Sequence, residues 1–184
     1  MSNTDKRKRR ASTLAALLEE KPKRGRPPRD VSRQNVYVTL SDEQKACMKK
    51  LVAYLPQGLA RADLPDLAIT VLAARFEALR QAVADRNREI PEGVTDLESL
   101  YLLWDAPLPP DNQTSRWTSI RVSPQQAIEL GRVRGILNAA FGATRSETFA
   151  LALALLAQWL ESNPLNGTKL SLYELRRKIT DIYL

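Results

Sequence analysis

The 184-residue chain carries 28 Lys and Arg against 21 Asp and Glu, no His and one Cys, and 43% of its residues are apolar. Without His there is no Ser-His-Asp triad, no Cys-His pair and no His-ligated metal site. One Cys makes neither an intrachain disulfide nor a Cys cluster, so nothing marks an oxidising compartment. The longest apolar run, 149–157, is too short to span a bilayer, and no signal-peptide pattern opens the chain. These features predict a soluble, cytoplasmic protein with no membrane partner, no metal and no cofactor.

Charge is distributed unevenly. Residues 1–34 hold 11 basic and 4 acidic residues, a net of +7, whereas 35–184 hold 17 of each. A basic, disordered arm on a neutral body points to a polyanion held partly by a tether, with a solubilising tail as the alternative. At the centre of "KPKRGRPPR" (21–29) stand Lys23, Arg24, Gly25, Arg26 and Pro27, and the segment resembles an AT-hook. Such an arm lies deep in a narrow minor groove, its arginines in the strong negative potential of A·T tracts. Plain phosphate attraction is the alternative, and it too favours DNA.

Past the arm, "VTLSDEQ" at 38–44 and "IRVSPQQ" at 120–126 share the pattern [VI]-x-[LV]-S-x-x-Q at an offset of 82. Each reads as a short strand running into a capped helix. Val36, Val38 and Leu40 alternate with Asn35, Tyr37 and Thr39, and Thr118, Ile120 and Val122 alternate with Trp117, Ser119 and Arg121. Ser41 with Gln44 and Ser123 with Gln126 are spaced as capping boxes, and Pro124 suits a first helical position. The first helix has Cys47, Met48, Leu51, Val52 and Leu55 on one stripe and is halted by "PQG" at 56–58. In the second copy the stripe is Ile128, Val133, Ile136, Leu137 and Phe141, halted by Gly142. A further helix opens in each copy, at Thr144–Glu147 with another capping box and at Asp63 with Pro65 in the first turn. Cys47, set among apolar residues, reads as a small core residue rather than a nucleophile.

This strand–helix–turn–helix unit resembles the ribbon-helix-helix family of the Arc and methionine repressors, over residues 35–86 and 116–161. Copy two matches best, through its alternating strand, its Ser-Pro helix start and its "G-x-T-x-S-E" turn; copy one departs at "LARADLPD". Two copies in one chain look like the single-chain versions among conjugation and DNA-transfer accessory proteins. The resemblance implies a mainly α fold with a two-stranded antiparallel ribbon, formed by two repeats as a pseudo-dimer. It implies that the ribbon enters the major groove of double-stranded DNA with Asn35, Tyr37, Thr39, Trp117, Ser119 and Arg121 outward, chemistry that suits base edges. Trp117 has a second reading, as a cap on the ribbon's end. In the family, the N-terminus of the second helix clamps phosphate. Thr144, Arg145 and Ser146 fit that role in copy two, whereas Asp63 and Asp66 in copy one would repel phosphate, with Arg61 compensating in part.

Between the copies, 87–115 is an acidic connector containing the helix candidate "VTDLESLYLLWDA", apolar enough to pack on the helical body or to form a partner surface. The final segment, 162–184, ends in an amphipathic helix with Leu172, Leu175, Ile179 and Ile182 on a stripe. Core packing is one fate for it, and self-association the other. No Gly-rich phosphate loop is present and nothing points to an enzyme. The expectation is therefore a site-specific DNA-binding protein, either a repressor or an accessory factor at a plasmid, phage or transfer origin working with other nucleoprotein components. The alternatives are an architectural DNA protein of low specificity and an antitoxin-like interaction module.

Overall fold

The computed structural model describes residues 32–84, 89–110, 114–165 and 167–184. Period-two alternation yields two eight-residue strands, β1 (Gln34–Ser41) and β2 (Ser115–Val122), paired antiparallel into a ribbon. Each strand leads into helices: α1 (Asp42–Leu51) and α2 (Leu64–Ala82) after β1, then α3 (Leu97–Leu103), and α4 (Pro124–Phe141) and α5 (Arg145–Ser162) after β2, with α6 (Leu172–Tyr183) at the C-terminus. Short 3-10 turns at Val52–Tyr54 and Arg61–Asp63 carry the chain from α1 to α2. The chain is thus mainly helical, with a two-stranded antiparallel ribbon.

A two-stranded ribbon is marginal alone in water, and here its inner face is roofed by helices. Val38, Leu40, Ile120 and Val122 are buried and Val36 is partly buried against the same core. Burial of each such side chain stabilises by about 1.5–3 kcal/mol. The helices beneath are led by α2 and α5. From Leu64 to Leu72 every residue of α2 is buried, and α5 buries Phe149, Leu151, Leu155, Leu156 and Trp159. Helices apolar around much of their circumference belong in the centre, and α2 and α5 pack on each other there.

Local signals explain several helix ends. Ser41 Oγ accepts from Gln44 N–H at 3.1 Å while Gln44 Oε1 accepts from Ser41 N–H at 2.9 Å, so the first capping box forms. Gly142, at φ 71°, ends α4 in the left-handed region, and the carbonyls of Asn138 and Leu137 accept from the amides of Gly142 and Ala143. Thr144 and Glu147 then box the start of α5.

Three expectations need correction. The stripe of α4 is Gln126, Leu130, Val133 and Leu137, at spacings of four, three and four, and Ile128 is exposed. At about 100° per residue, Ile128 lies five positions from Val133 and so about 140° round the helix. In α1 the buried pair is Met48 and Leu51; Cys47 is half-buried and Val52 falls in the 3-10 turn. The second capping box also fails to form, as described below.

The connector packs on the body. Leu100 and Tyr101 of α3 are buried, and Trp104 meets Phe76 edge-to-face at 6.0 Å. Arg75 of α2 ties three segments together. It donates to the Trp104 carbonyl at 3.2 Å, to Gln158 of α5 at 2.7 Å and to the Tyr183 hydroxyl of α6 at 3.1 Å. Helix α6 starts at Leu172 with its own Ser171–Glu174 box and buries Leu175 and Ile179, leaving Ile182 exposed. Among the described residues no helix is long and apolar enough to cross a membrane, and no cluster of carboxylate, Cys or His groups is arranged to hold a metal ion.

Candidate nucleic-acid interface

Strand pairing sets the outer face of the ribbon. Asn35 lies opposite Arg121, Tyr37 opposite Ser119, and Thr39 opposite Trp117. Tyr37 and Ser119 are also the equivalent positions of the 82-residue repeat, so the ribbon is centred on them. Five of these six side chains are exposed, Trp117 by 76% and Tyr37 by 60%, and Thr39 is half-buried. The inner-face residues alternate with them, so the period-two register holds across both strands. Opposed residues on one face sit about 4.5–5.5 Å apart and diagonal ones about 7–8 Å apart. The six therefore form one small patch in which Arg121 is the only charged group.

The second helices meet the ribbon at opposite ends. Ser146, in the first turn of α5, accepts from Thr39 N–H at 2.8 Å, which fixes that helix start beside the Thr39·Trp117 end. Thr144 is equally committed, since its hydroxyl and its amide both donate to Glu147 Oε2 at 2.7 Å. Of the three residues expected to clamp phosphate there, Arg145 keeps an exposed side chain, and the first-turn amides not used by the cap point off the helix end. The side chains of Thr144 and Ser146 instead serve as cap and as strap to the ribbon.

The start of α2 meets the other end of the ribbon, beside Asn35·Arg121, and its chemistry differs. Asp66 Oδ1 accepts from Ser123 N–H at 2.8 Å and the side chain is fully buried. Arg33, its own side chain buried, donates to Asp63 at 2.5 Å and to the Ala62 carbonyl, and lies 3.5 Å from the second Asp66 oxygen. The two acids expected to repel phosphate are therefore held by Arg33 rather than facing solvent. Asp63 has a second duty as acceptor of Ala60 N–H at 2.7 Å. Arg61 is exposed.

This cluster also accounts for the missing second capping box. Ser123 N–H, which Gln126 was expected to satisfy, bonds the Asp66 carboxylate, a stronger acceptor than an amide. Gln126 turns into the core instead, its terminal amide against the Arg176 guanidinium of α6, a contact that becomes a hydrogen bond with the amide oxygen turned toward Arg176. Ser123 Oγ makes no cap and is buried without a partner. Burial raises the Asp66 carboxyl above the usual aspartate range, with the Ser123 N–H and the Arg33 charge opposing the shift. Burial likewise raises the Cys47 thiol, with Glu161 adding to it.

Arg33, Asp66 and Arg176 were not singled out as a group by sequence reasoning. Arg33 reads as part of the arm's charge, and the partners of all three lie on other elements, so no local spacing reveals them. Lys23, Arg24, Gly25, Arg26 and Pro27 lie outside the described residues. Comparison with protein-family models, with curated proteins and with solved structures returns no match.

Proposed function

We propose that this protein binds double-stranded DNA at specific sites, laying the ribbon in the major groove. On this reading the units β1–α1–α2 and β2–α4–α5 are tandem ribbon-helix-helix repeats, which make within one chain the pseudo-dimer that family members make from two. It acts as a transcriptional repressor or as an accessory factor at a plasmid, phage or transfer origin.

One observation carries the reading: the outer face of the ribbon, with Asn35·Arg121, Tyr37·Ser119 and Thr39·Trp117 as three unlike opposed pairs centred on the repeat-equivalent positions. Asn and Arg suit two-point bonding to adenine and guanine, and Ser and Thr accept either partner. Because the two strands differ, the site read is asymmetric rather than palindromic. Arg145 and the α5 first turn supply a backbone contact, and the basic segment 1–34 adds electrostatic affinity that falls with salt.

Selection of binding sites from random duplexes, with wild type and with Arg121→Ala plus Asn35→Ala, tests this. The expected result is an asymmetric core that blurs in the double variant. Binding without an enriched core, unaffected by the double variant and lost on deletion of residues 1–31, which spares Arg33 and β1, would refute site-specific readout and leave an architectural role driven by the basic arm.

A further inference from the structure

The two ends of the ribbon differ in chemistry. At one end Asn35 faces Arg121, two polar groups suited to bonding base edges. At the other, Trp117 faces Thr39, and Tyr37 is the diagonal neighbour of Trp117 on the same face. Trp117 is 76% exposed although it is the largest side chain on the face, and its ring lies over no described partner in an aromatic or cation–π contact. An indole has one donor and a broad apolar surface. In a major groove, the apolar feature available to such a surface is the thymine C5-methyl group.

The helix starts reinforce this polarity. The aromatic end adjoins the first turn of α5, where Arg145 is exposed, through the Ser146 to Thr39 bond. The polar end adjoins the first turn of α2, where Arg33 already sits on Asp63 and lies near Asp66. A phosphate contact is thus available beside the aromatic end, where base contacts are apolar. At the other end the exposed cation is Arg61, in the 3-10 turn before α2, and the groups on the ribbon face itself, Asn35 and Arg121, bond bases by hydrogen bonds.

Resting on the DNA-binding reading above, we infer that the ribbon reads two half-sites by different chemistry: a purine half read through N7 and its neighbouring groups by Arg121 and Asn35, and a thymine half read through methyl groups by Trp117. Trp117 is then a specificity-determining residue and not a cap on the ribbon.

The test uses the full chain and the strongest duplex from site selection. Deoxyuridine replaces thymidine in one half at a time, and 7-deazaguanine replaces guanine likewise. Affinity is measured for wild type, Trp117→Ala and Arg121→Ala, with circular dichroism confirming that each exposed-residue variant folds. In one half only, loss of methyls should weaken wild type about fourfold per contacted methyl and leave Trp117→Ala unchanged. In the other half, loss of guanine N7 should weaken wild type at least about fivefold and leave Arg121→Ala unchanged. Methyl loss without effect, or with equal effect on Trp117→Ala, overturns the inference while leaving site-specific binding intact. A selection that enriches no sequence overturns the DNA reading itself.

Discussion

At the end of β1 the chain turns into α1 through a serine and a glutamine three residues apart, whereas at the end of β2 the same turn is closed by Asp66, 57 residues upstream. The first turn is satisfied by its own sequence. The second holds only once α2 is in place, and it ties β2, α4 and the residue preceding β1 to the start of one helix. A similar contrast separates the second helices. The start of α5 is closed by its local Thr144–Glu147 box, while the start of α2 is closed by a buried ion cluster fed by Arg33. Similar local sequences thus reach similar shapes through contacts of different range, and what differs is how strongly each turn depends on the rest of the molecule.

The largest effect should come from breaking the long-range closure. Asp66→Ala removes the acceptor of Ser123 N–H and one of the two carboxylates near the buried Arg33 guanidinium. Leaving a buried charge and a buried donor short of partners costs about 3 kcal/mol or more, read as a lower urea midpoint at unchanged slope. Gln44→Ala, which removes only the local half of the first box, should cost much less. Equal losses from the two substitutions would show that the closures are energetically alike and would dissolve the contrast.

Titration sharpens the same point. Burial raises the Asp66 pKa above its ordinary value of 3.8, so the folded state binds a proton more tightly than the unfolded chain. The stability this contributes is present in full below the unfolded pKa and is lost as pH rises through the raised folded value. Relative to Asp66→Asn, wild type should therefore lose stability as pH rises above about 3.8, at no more than about 1.4 kcal/mol per pH unit. Asp96 and Glu174, each held low by hydrogen bonds from its capping partner, contribute the opposite slope, and comparison with Asp66→Asn cancels them. A difference that grows with pH would mean that the Arg33 charge outweighs burial.

The legible parts of this molecule are those whose causes are local. Alternation in 34–41 and 115–122 places Val38, Leu40, Ile120 and Val122 inside and the six candidate readers on the other face, and the pairing keeps that register. Gly142 and the Thr144–Glu147 box mark the start of α5 because every group involved lies within a few residues. A count of apolar residues puts Ile128 on the stripe, but its helical angle puts it outside and Gln126 on the buried side. Gln126 and Asp66 look like a capping residue and a phosphate-repelling acid because their partners, Arg176 and Ser123, are invisible at that range. The same limit applies to Arg33, which is legible as one charge among eleven and not as the counter-ion of a buried aspartate.

The smallest expected effect discriminates most finely, because it compares two serines at equivalent positions. Ser41 Oγ caps α1 through Gln44 N–H, and Ser41→Ala should cost about 1 kcal/mol. Ser123 opens α4 with the same extended backbone, yet its hydroxyl caps nothing and is buried without a partner. Its amide, which does the bonding to Asp66, is retained in alanine. Ser123→Ala should then change stability by less than about 0.5 kcal/mol, or raise it slightly as an unpaired buried hydroxyl is removed. In an Asp66→Ala background the roles should shift, since Ser123 is free to form the box its sequence encodes only if Gln126 leaves Arg176. A cost for Ser123→Ala that appears only in that background would show that the long-range closure overrides a latent local one. A cost near 1 kcal/mol in the wild-type background would mean that the two serines cap alike after all.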